Sequence, residues 1–263
     1  MEKPFFKQLS SGLGYYPKAL SFIFDNGLWF YFIFPLLLNL LIFFLGLSTI
    51  GFISDYLSDE LHILIFGEET ESVSSWKDWI FSPINWIIWG ILKVGFFFLF
   101  ALFGGYITII VLSPVLTFLS EKTAEIVTGK KVPFDILQFT RDIVRAVLIT
   151  FRNMFLQLGL TIALMFLNII PIIGSIAAFV GNLLVSSYFY GFSFIDYSNE
   201  RNKLSVKDSV RFIRKNKGLS VGIGLVFSFC FYVPFIGGIV ASFLAVVSTV
   251  AATLAVLEKD QST

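Results

Sequence analysis

Charge is what this sequence has least of. Only 14% of its 263 residues are Asp, Glu, Lys or Arg, against about 25% in an ordinary soluble domain. A folded sphere of this size could not cover its surface with so few. Cysteine and histidine are nearly absent too, at one each. A lone Cys230 in the apolar run Phe-Ser-Phe-Cys-Phe-Tyr excludes an internal disulfide and reads as an inert thiol. His62 has no second ligand at metal-binding spacing. No Ser/His/Asp set can be built around it, and Gly12-Leu13-Gly14 and Gly222-Ile223-Gly224 lack the strand context of a nucleotide loop. The expectation is therefore no enzyme, no metal, no cofactor and no nucleic acid. A cleavable leader is not expected either, since Lys3, Lys7 and Lys18 are scattered among aromatics with no small-residue cleavage site.

What is abundant is apolar. Hydrophobic residues make up 56% of the chain, 33 of them Phe, and mean hydropathy is +0.84. They come in blocks long enough to cross a bilayer, whose core needs about 20 helical residues. The reading is an all-α, polytopic integral membrane helical bundle, with the lipid bilayer as solvent.

The charges divide the chain. Residues 1–26 read as an interfacial amphipathic helix and 27–54 as a first span, which Pro35 is expected to kink. Residues 55–78 hold seven acids against Lys77 and read as an external acidic loop. A second long helix covers 79–113. Trp76, just before it, and Trp79, Trp86 and Trp89 within it fall within an arc of about 140° at 100° per residue. That belt favours Lys93 as a residue snorkelling at the interface over a charge buried for function. Residues 114–152 read as a cytoplasmic amphipathic region, broken at Gly129-Lys130-Lys131-Val132-Pro133.

Two blocks stand apart. Residues 153–195 carry no charge over 43 positions and 218–257 none over 40, each too long for one span. Each is broken by the same signature, Pro171 with Gly174 and Pro234 with Gly237. Each follows a matching basic pentad, Arg141-Asp142-Ile143-Val144-Arg145 or Lys207-Asp208-Ser209-Val210-Arg211. The pentads lie 66 residues apart and the hinges 63 apart, the pattern of a tandem repeat with one three-residue deletion. The turns are almost wholly apolar. The arm 218–233 would rise only about 24 Å, short of a hydrocarbon core of about 30 Å. Re-entrant hairpins over 153–195 and 218–257 follow, with two full spans joined by a tight turn as the alternative. With 196–217 as a basic cytoplasmic segment, 17 of the 19 bases fall on one face. By the positive-inside rule that face is cytoplasmic, and both termini lie there.

Arg141, Arg145 and Arg152 form one stripe of a helix, and Lys207, Arg211 and Arg214 another. Such stripes lie on anionic headgroups or in cytosol. The alternative takes Arg141, Arg145, Arg211 and Arg214 as basic funnels drawing an anion to a vestibule. Paired broken helices fit transport, since helix ends at breaks expose backbone N–H groups that can hold an anion.

Gly12 with Tyr15-Tyr16, then Asn26-Gly27-Leu28-Trp29 running to Pro35-Leu36-Leu37-Leu38-Asn39, begin a longer pattern. It continues in Ser113-Pro114 with Leu119, Glu121 and Glu125, in Ile170-Pro171 with Gly174, in Phe194-Ile195-Asp196-Tyr197 with Arg201, and in Pro234. In this order the chain resembles the CysZ family of bacterial sulfate permeases, relatives of the eukaryotic etoposide-induced membrane proteins. The resemblance implies an inner-membrane helical bundle with two long spanning helices, Pro-hinged hairpins and assembly as a homo-oligomer. It also implies a small inorganic anion, sulfate, as substrate, entering for cysteine synthesis, and a binding turn at Asn26, Gly27 and Leu28. In sulfate-transporting members arginine follows that turn; here Trp29 and Phe30 stand in its place. The second reading is a non-transporting membrane scaffold, suggested by the eukaryotic relatives.

Overall fold

The structure, a computed structural model, describes residues 4–66, 75–130, 135–233 and 236–261, with many side chains between 43 and 103 outside the description. Every element in it is helical. The helices are α1 (Phe5–Asp25), α2 (Ile33–Phe66), α3 (Ser75–Thr128), α4 (Ile136–Met165), α5 (Ile173–Arg201), α6 (Val206–Lys215), α7 (Lys217–Cys230) and α8 (Gly237–Gln261). Short 3-10 turns at Leu28–Phe32 and Phe166–Ile169 precede α2 and follow α4. Among the described residues four helical stretches are long and apolar enough to cross a membrane: Gly104–Thr128, Ile136–Ile169, Ile173–Arg201 and Gly237–Lys259. The chain thus has the all-α, polytopic architecture of a membrane helical protein.

Two compact units are present. Residues 37–102 form one, made of the rest of α2 and the first half of α3. Its helices outrun the expected loop: α2 continues through 55–66, and α3 starts at Ser75 instead of Trp79. Charge alone does not stop a helix, and 52–66 contains neither Gly nor Pro. His62 therefore lies in α2, and only 67–74 of the expected loop falls outside the described residues. Lys93 is exposed, with its ammonium 4.6 Å from the Trp89 ring centroid, a cation–π contact consistent with an interfacial position.

Residues 1–36 and 103–263 form the other unit. The kink expected at Pro35 sits elsewhere. Pro35 falls in the first turn of α2, where a missing N–H costs nothing. The chain bends by 110° between α1 and the 3-10 turn, at Gly27, whose φ of 68° is left-handed. Pro114 does not break α3 either. It removes the donor that would reach the Ile110 carbonyl, and the Ser113 hydroxyl donates to that carbonyl instead at 2.8 Å. So 114–128 continues α3 in the core, with Leu116 and Leu119 fully buried. The break foreseen at Gly129 is there, with φ of 69°, and Asp135 caps α4 by accepting from the Leu137 and Gln138 amides.

At the centre of this unit lies α7, whose small residues face two ways. Gly218 and Gly222 abut the Phe5 and Leu9 carbonyls of α1; Gly224 abuts the Ser187 carbonyl of α5, and Gly191 of α5 abuts Ser220 of α7. A Cβ at any of these would collide with a carbonyl oxygen. Close backbone approach of this kind packs helices in lipid, where apolar burial gives no advantage between helices. Polar ties hold the same contacts: Ser220 donates to the Tyr188 carbonyl at 2.8 Å, and Tyr16 pairs with Ser248 at 2.7 Å and donates to the Ile223 carbonyl. Gly224→Ala should destabilise the detergent-solubilised protein by about 1–3 kcal/mol. Gly14→Ala, exposed within α1 with open space around it, should keep or raise the unfolding midpoint through helix propensity; a loss equal to that of Gly224→Ala would refute the packing role of α7.

Candidate functional site

The two hinges are built alike. In the first, the Ile170 amide donates to the Leu167 carbonyl at 3.0 Å and the Gly174 amide to the Ile170 carbonyl at 3.0 Å. In the second, Val233 donates to Cys230 at 2.9 Å and Gly237 to Val233 at 3.1 Å. Every partner is displaced by 63 residues, so the repeat read in sequence is a repeat of backbone geometry. Both hinge glycines are required by contact, since a Cβ on Gly174 would strike the Leu167 carbonyl and one on Gly237 the Cys230 carbonyl. Pro234 lies outside the described residues.

The first hinge stores strain. Ile172 has φ of 64° and ψ of −67°, and the Ile173 amide reaches back to the Pro171 carbonyl at 2.7 Å. That is a γ-turn of the rare positive-φ form, costly for a β-branched residue. Ile169, Ile172 and Ile173 around it are 74–78% exposed, an apolar tip suited to hydrocarbon. Ile172→Gly should raise stability by roughly 1 kcal/mol by relieving this turn, read as a higher thermal midpoint; a lower midpoint would contradict the strain.

At the far ends of these helices the uncharged blocks meet the basic segments, and the structure turns one expected funnel residue inward. Arg145 on α4 is mostly buried. Its Nη2 lies 3.3 Å from Asp196 Oδ1, its Nε 3.6 Å from Glu200 Oε1, and its Nη1 donates to the Leu204 carbonyl. Asp196 also accepts from the Ser209 hydroxyl of α6, and Ser209 in turn accepts from the Asn199 amide at 2.9 Å. One guanidinium therefore ties α4, α5 and α6. Asp142 and Glu121 act electrostatically on Glu200 as well, leaving the pocket rich in carboxylate. Buried Asp196 Oδ2, Asn199 Oδ1 and both Glu200 oxygens have no hydrogen-bond donor. Arg145 thus offers no free charge to an anion.

The other funnel residues are apart from it. Arg141 and Arg214 are exposed, and Arg211 is exposed while paired to Asp208 at 3.2 Å. Arg152 is half-buried, its guanidinium 5.7 Å from the Phe192 ring centroid. Further up the α4–α5 contact runs a ladder that sequence reasoning missed. Asn153 donates to Ser193 at 3.2 Å, Gln157 to Ser186 at 3.0 Å, and Tyr106 of α3 donates to Gln157. Its sequence signal was Asn153 and Gln157, spaced i, i+4 in an otherwise apolar run.

The proposed binding turn is exposed at Asn26 and Gly27, whereas Leu28 is 3% exposed. The Asn26 amide N–H donates to the Phe22 carbonyl at 3.1 Å and that of Gly27 to Phe24 at 3.3 Å, so both turn back into α1. The Asn26 side chain also donates to Phe22 at 2.8 Å. Trp29 and Phe30 beside the turn are 60% and 48% exposed.

The profile of the family described as sulfate transporter CysZ/etoposide-induced protein 2.4 matches residues 15–242, from within α1 to the start of α8. The chain belongs to this family. It is 22% identical over 227 residues to the sulfate transporter CysZ of Vibrio cholerae, covering 86% of each chain. It is 26% identical over 232 residues to that of Pseudomonas aeruginosa, covering 86% of this chain and 87% of the relative, and 26% identical over 228 residues to that of Pseudomonas fluorescens, covering 86% of each.

Truncating the Arg145 side chain would strand two buried carboxylates. Arg145→Ala should destabilise the protein by about 3–5 kcal/mol, whereas Arg211→Ala should leave the unfolding midpoint where it is. Matching losses in a denaturant titration would contradict the buried role of Arg145.

Proposed function

We propose that this membrane protein is an inner-membrane permease for a small inorganic anion, with sulfate as the substrate, feeding sulfur assimilation. The observation that carries the reading is family membership across nearly every helix, joined to relatives that bear the name sulfate transporter. In this reading residues 218–257 form a half-penetrating hairpin, since α7, at 14 residues or about 21 Å, is too short to cross a core of about 30 Å. Residues 153–195 share its hinge geometry, while the length of Ile136–Ile169 and Ile173–Arg201 suits the alternative of two full spans joined by a tight turn. Both termini face the cytoplasm, as the segregation of basic residues indicates, and copies of the chain assemble as a homo-oligomer. The protein carries no enzymatic step.

In this reading the anion enters at Asn26, Gly27 and Leu28, where Gly27 holds the left-handed bend that lets α1 turn into the span. Pro171/Gly174 and Pro234/Gly237 set the depth and angle of the hairpins. Exposed Arg141, Arg211 and Arg214 supply positive potential at the cytoplasmic face. Arg145 is a clamp, not a funnel residue. The second reading is a non-transporting membrane scaffold, favoured by aromatic Trp29 and Phe30 where arginine would face a dianion.

Radiolabelled sulfate flux into proteoliposomes separates the two. Flux above empty vesicles, lowered by Gly27→Ala, is the expected result. Flux equal to empty vesicles, together with a stable partner protein on purification, would replace the permease by the scaffold.

A further inference from the structure

One corner of the bundle collects exposed lysine and exposed phenylalanine. The Gln8 side chain donates to the Lys215 carbonyl at 3.3 Å and accepts from the Gly218 amide at 3.1 Å. This staple brings α1 to the junction of α6 and α7 and puts Lys7, Lys215 and Lys217, all exposed, into one corner. Lys18 of α1 pairs with Glu258 near the end of α8 at 3.5 Å. α1 therefore packs along the first half of α7 and against α8 from Ser248 to Glu258, with Phe6, Leu20 and Phe24 exposed on its outer face.

That face has two edges. At 100° per residue Phe6, Leu13, Pro17, Leu20 and Phe24 fall within an arc of about 60°, with Lys7 and Lys18 about 100–120° from Phe6. Phe6 is 80% and Phe24 61% exposed. Of the acids on the neighbouring elements, Glu258 is taken by Lys18 and Asp208 by Arg211, while Asp25 stands at the opposite end of α1. No acid among the described side chains pairs with Lys7, Lys215 or Lys217.

We propose that the corner formed by Lys7, Lys215 and Lys217 beside the Phe6 edge of α1 is a binding surface for anionic phospholipid headgroups. The aromatic edge enters the acyl boundary and the ammonium groups meet the lipid phosphates, the division that interfacial amphipathic helices use. Compact, strongly hydrated ammonium groups suit phosphate as point charges. This surface is separate from the proposed anion turn and does not depend on what the protein transports.

The full-length protein in mild detergent, offered phosphatidylglycerol and phosphatidylcholine, provides the test by native mass spectrometry. Phosphatidylglycerol should be retained selectively. The triple variant Lys7→Gln/Lys215→Gln/Lys217→Gln should lose about fivefold per charge, roughly a hundredfold in all, while the corresponding triple Arg variant keeps the lipid. Phe6→Ser, at an exposed position that folding does not need, should weaken retention with the charges intact. Equal retention of the two lipids, unchanged retention in the Gln triple or in Phe6→Ser, or displacement by inorganic phosphate at matched concentration would each overturn the proposal.

Discussion

The bundle of residues 1–36 and 103–263 is organised by the bare backbone of α7. Lipid tails are as apolar as leucine, so burial of side chains gives little preference for one helix neighbour over another. Close approach does, because it adds dispersion contacts and weak hydrogen bonds from Cα–H groups to carbonyls. With Gly218 and Gly222 toward α1, and Ser220 and Gly224 toward α5, a helix of 14 residues meets two neighbours at once. The tilt of α1 across the bundle, and so the exposure of its Phe6 and Lys7 edges, follows from that contact. The positive-φ turn at Ile172 joins α4 to α5, and the direct α4–α5 packing, with its Asn153–Ser193 and Gln157–Ser186 bonds, holds its two arms together.

Polar groups divide the labour by depth. Near the first hinge they are few, with Asn168 donating to the Met165 carbonyl at 2.9 Å, and the glycines there serve carbonyl contact. Along the α4–α5 contact amide and hydroxyl pairs hold the helices in register. At the basic end Arg145 joins three helices through carboxylates that outnumber it. An anion path that needed this guanidinium would have to break its contacts to Asp196 and Glu200 and leave Asp196 with only the more distant Arg152 as a cation. The arrangement suits a clamp that keeps the bases of these helices together.

Much of this was legible from residue order, and the failures have physical causes. Pro171/Gly174 and Pro234/Gly237 announced two hinges, and the 63-residue spacing returned as hydrogen bonds displaced by the same interval. The loop expected over 55–78 was too long because acidic residues were taken as helix ends, although nothing between 52 and 66 breaks a helix. Pro35 was expected to kink the first span, and the second long helix was ended at 113, just before Pro114. One sits where its missing donor is harmless, and the other has Ser113 to satisfy the carbonyl it abandons. Gly222-Ile223-Gly224 was dismissed as a nucleotide loop without being recognised as a packing surface. Arg145 looked like one of a surface stripe, since helical spacing reveals a face but not what that face meets.

Charge scarcity, long apolar blocks and the tandem hinge signature by themselves determined a helical membrane protein with two hairpins, because the bilayer admits few ways to satisfy a backbone. The order of its motifs was enough to suggest the family. Tertiary structure alone decided which polar residues are used up inside and which remain available. Asp196 and Glu200 come from α5, Ser209 from α6 and Arg145 from α4, and no local pattern encodes that meeting. Whether an arginine is a free charge or a buried clamp depends on its partners across helices, and those partners are far away in the chain.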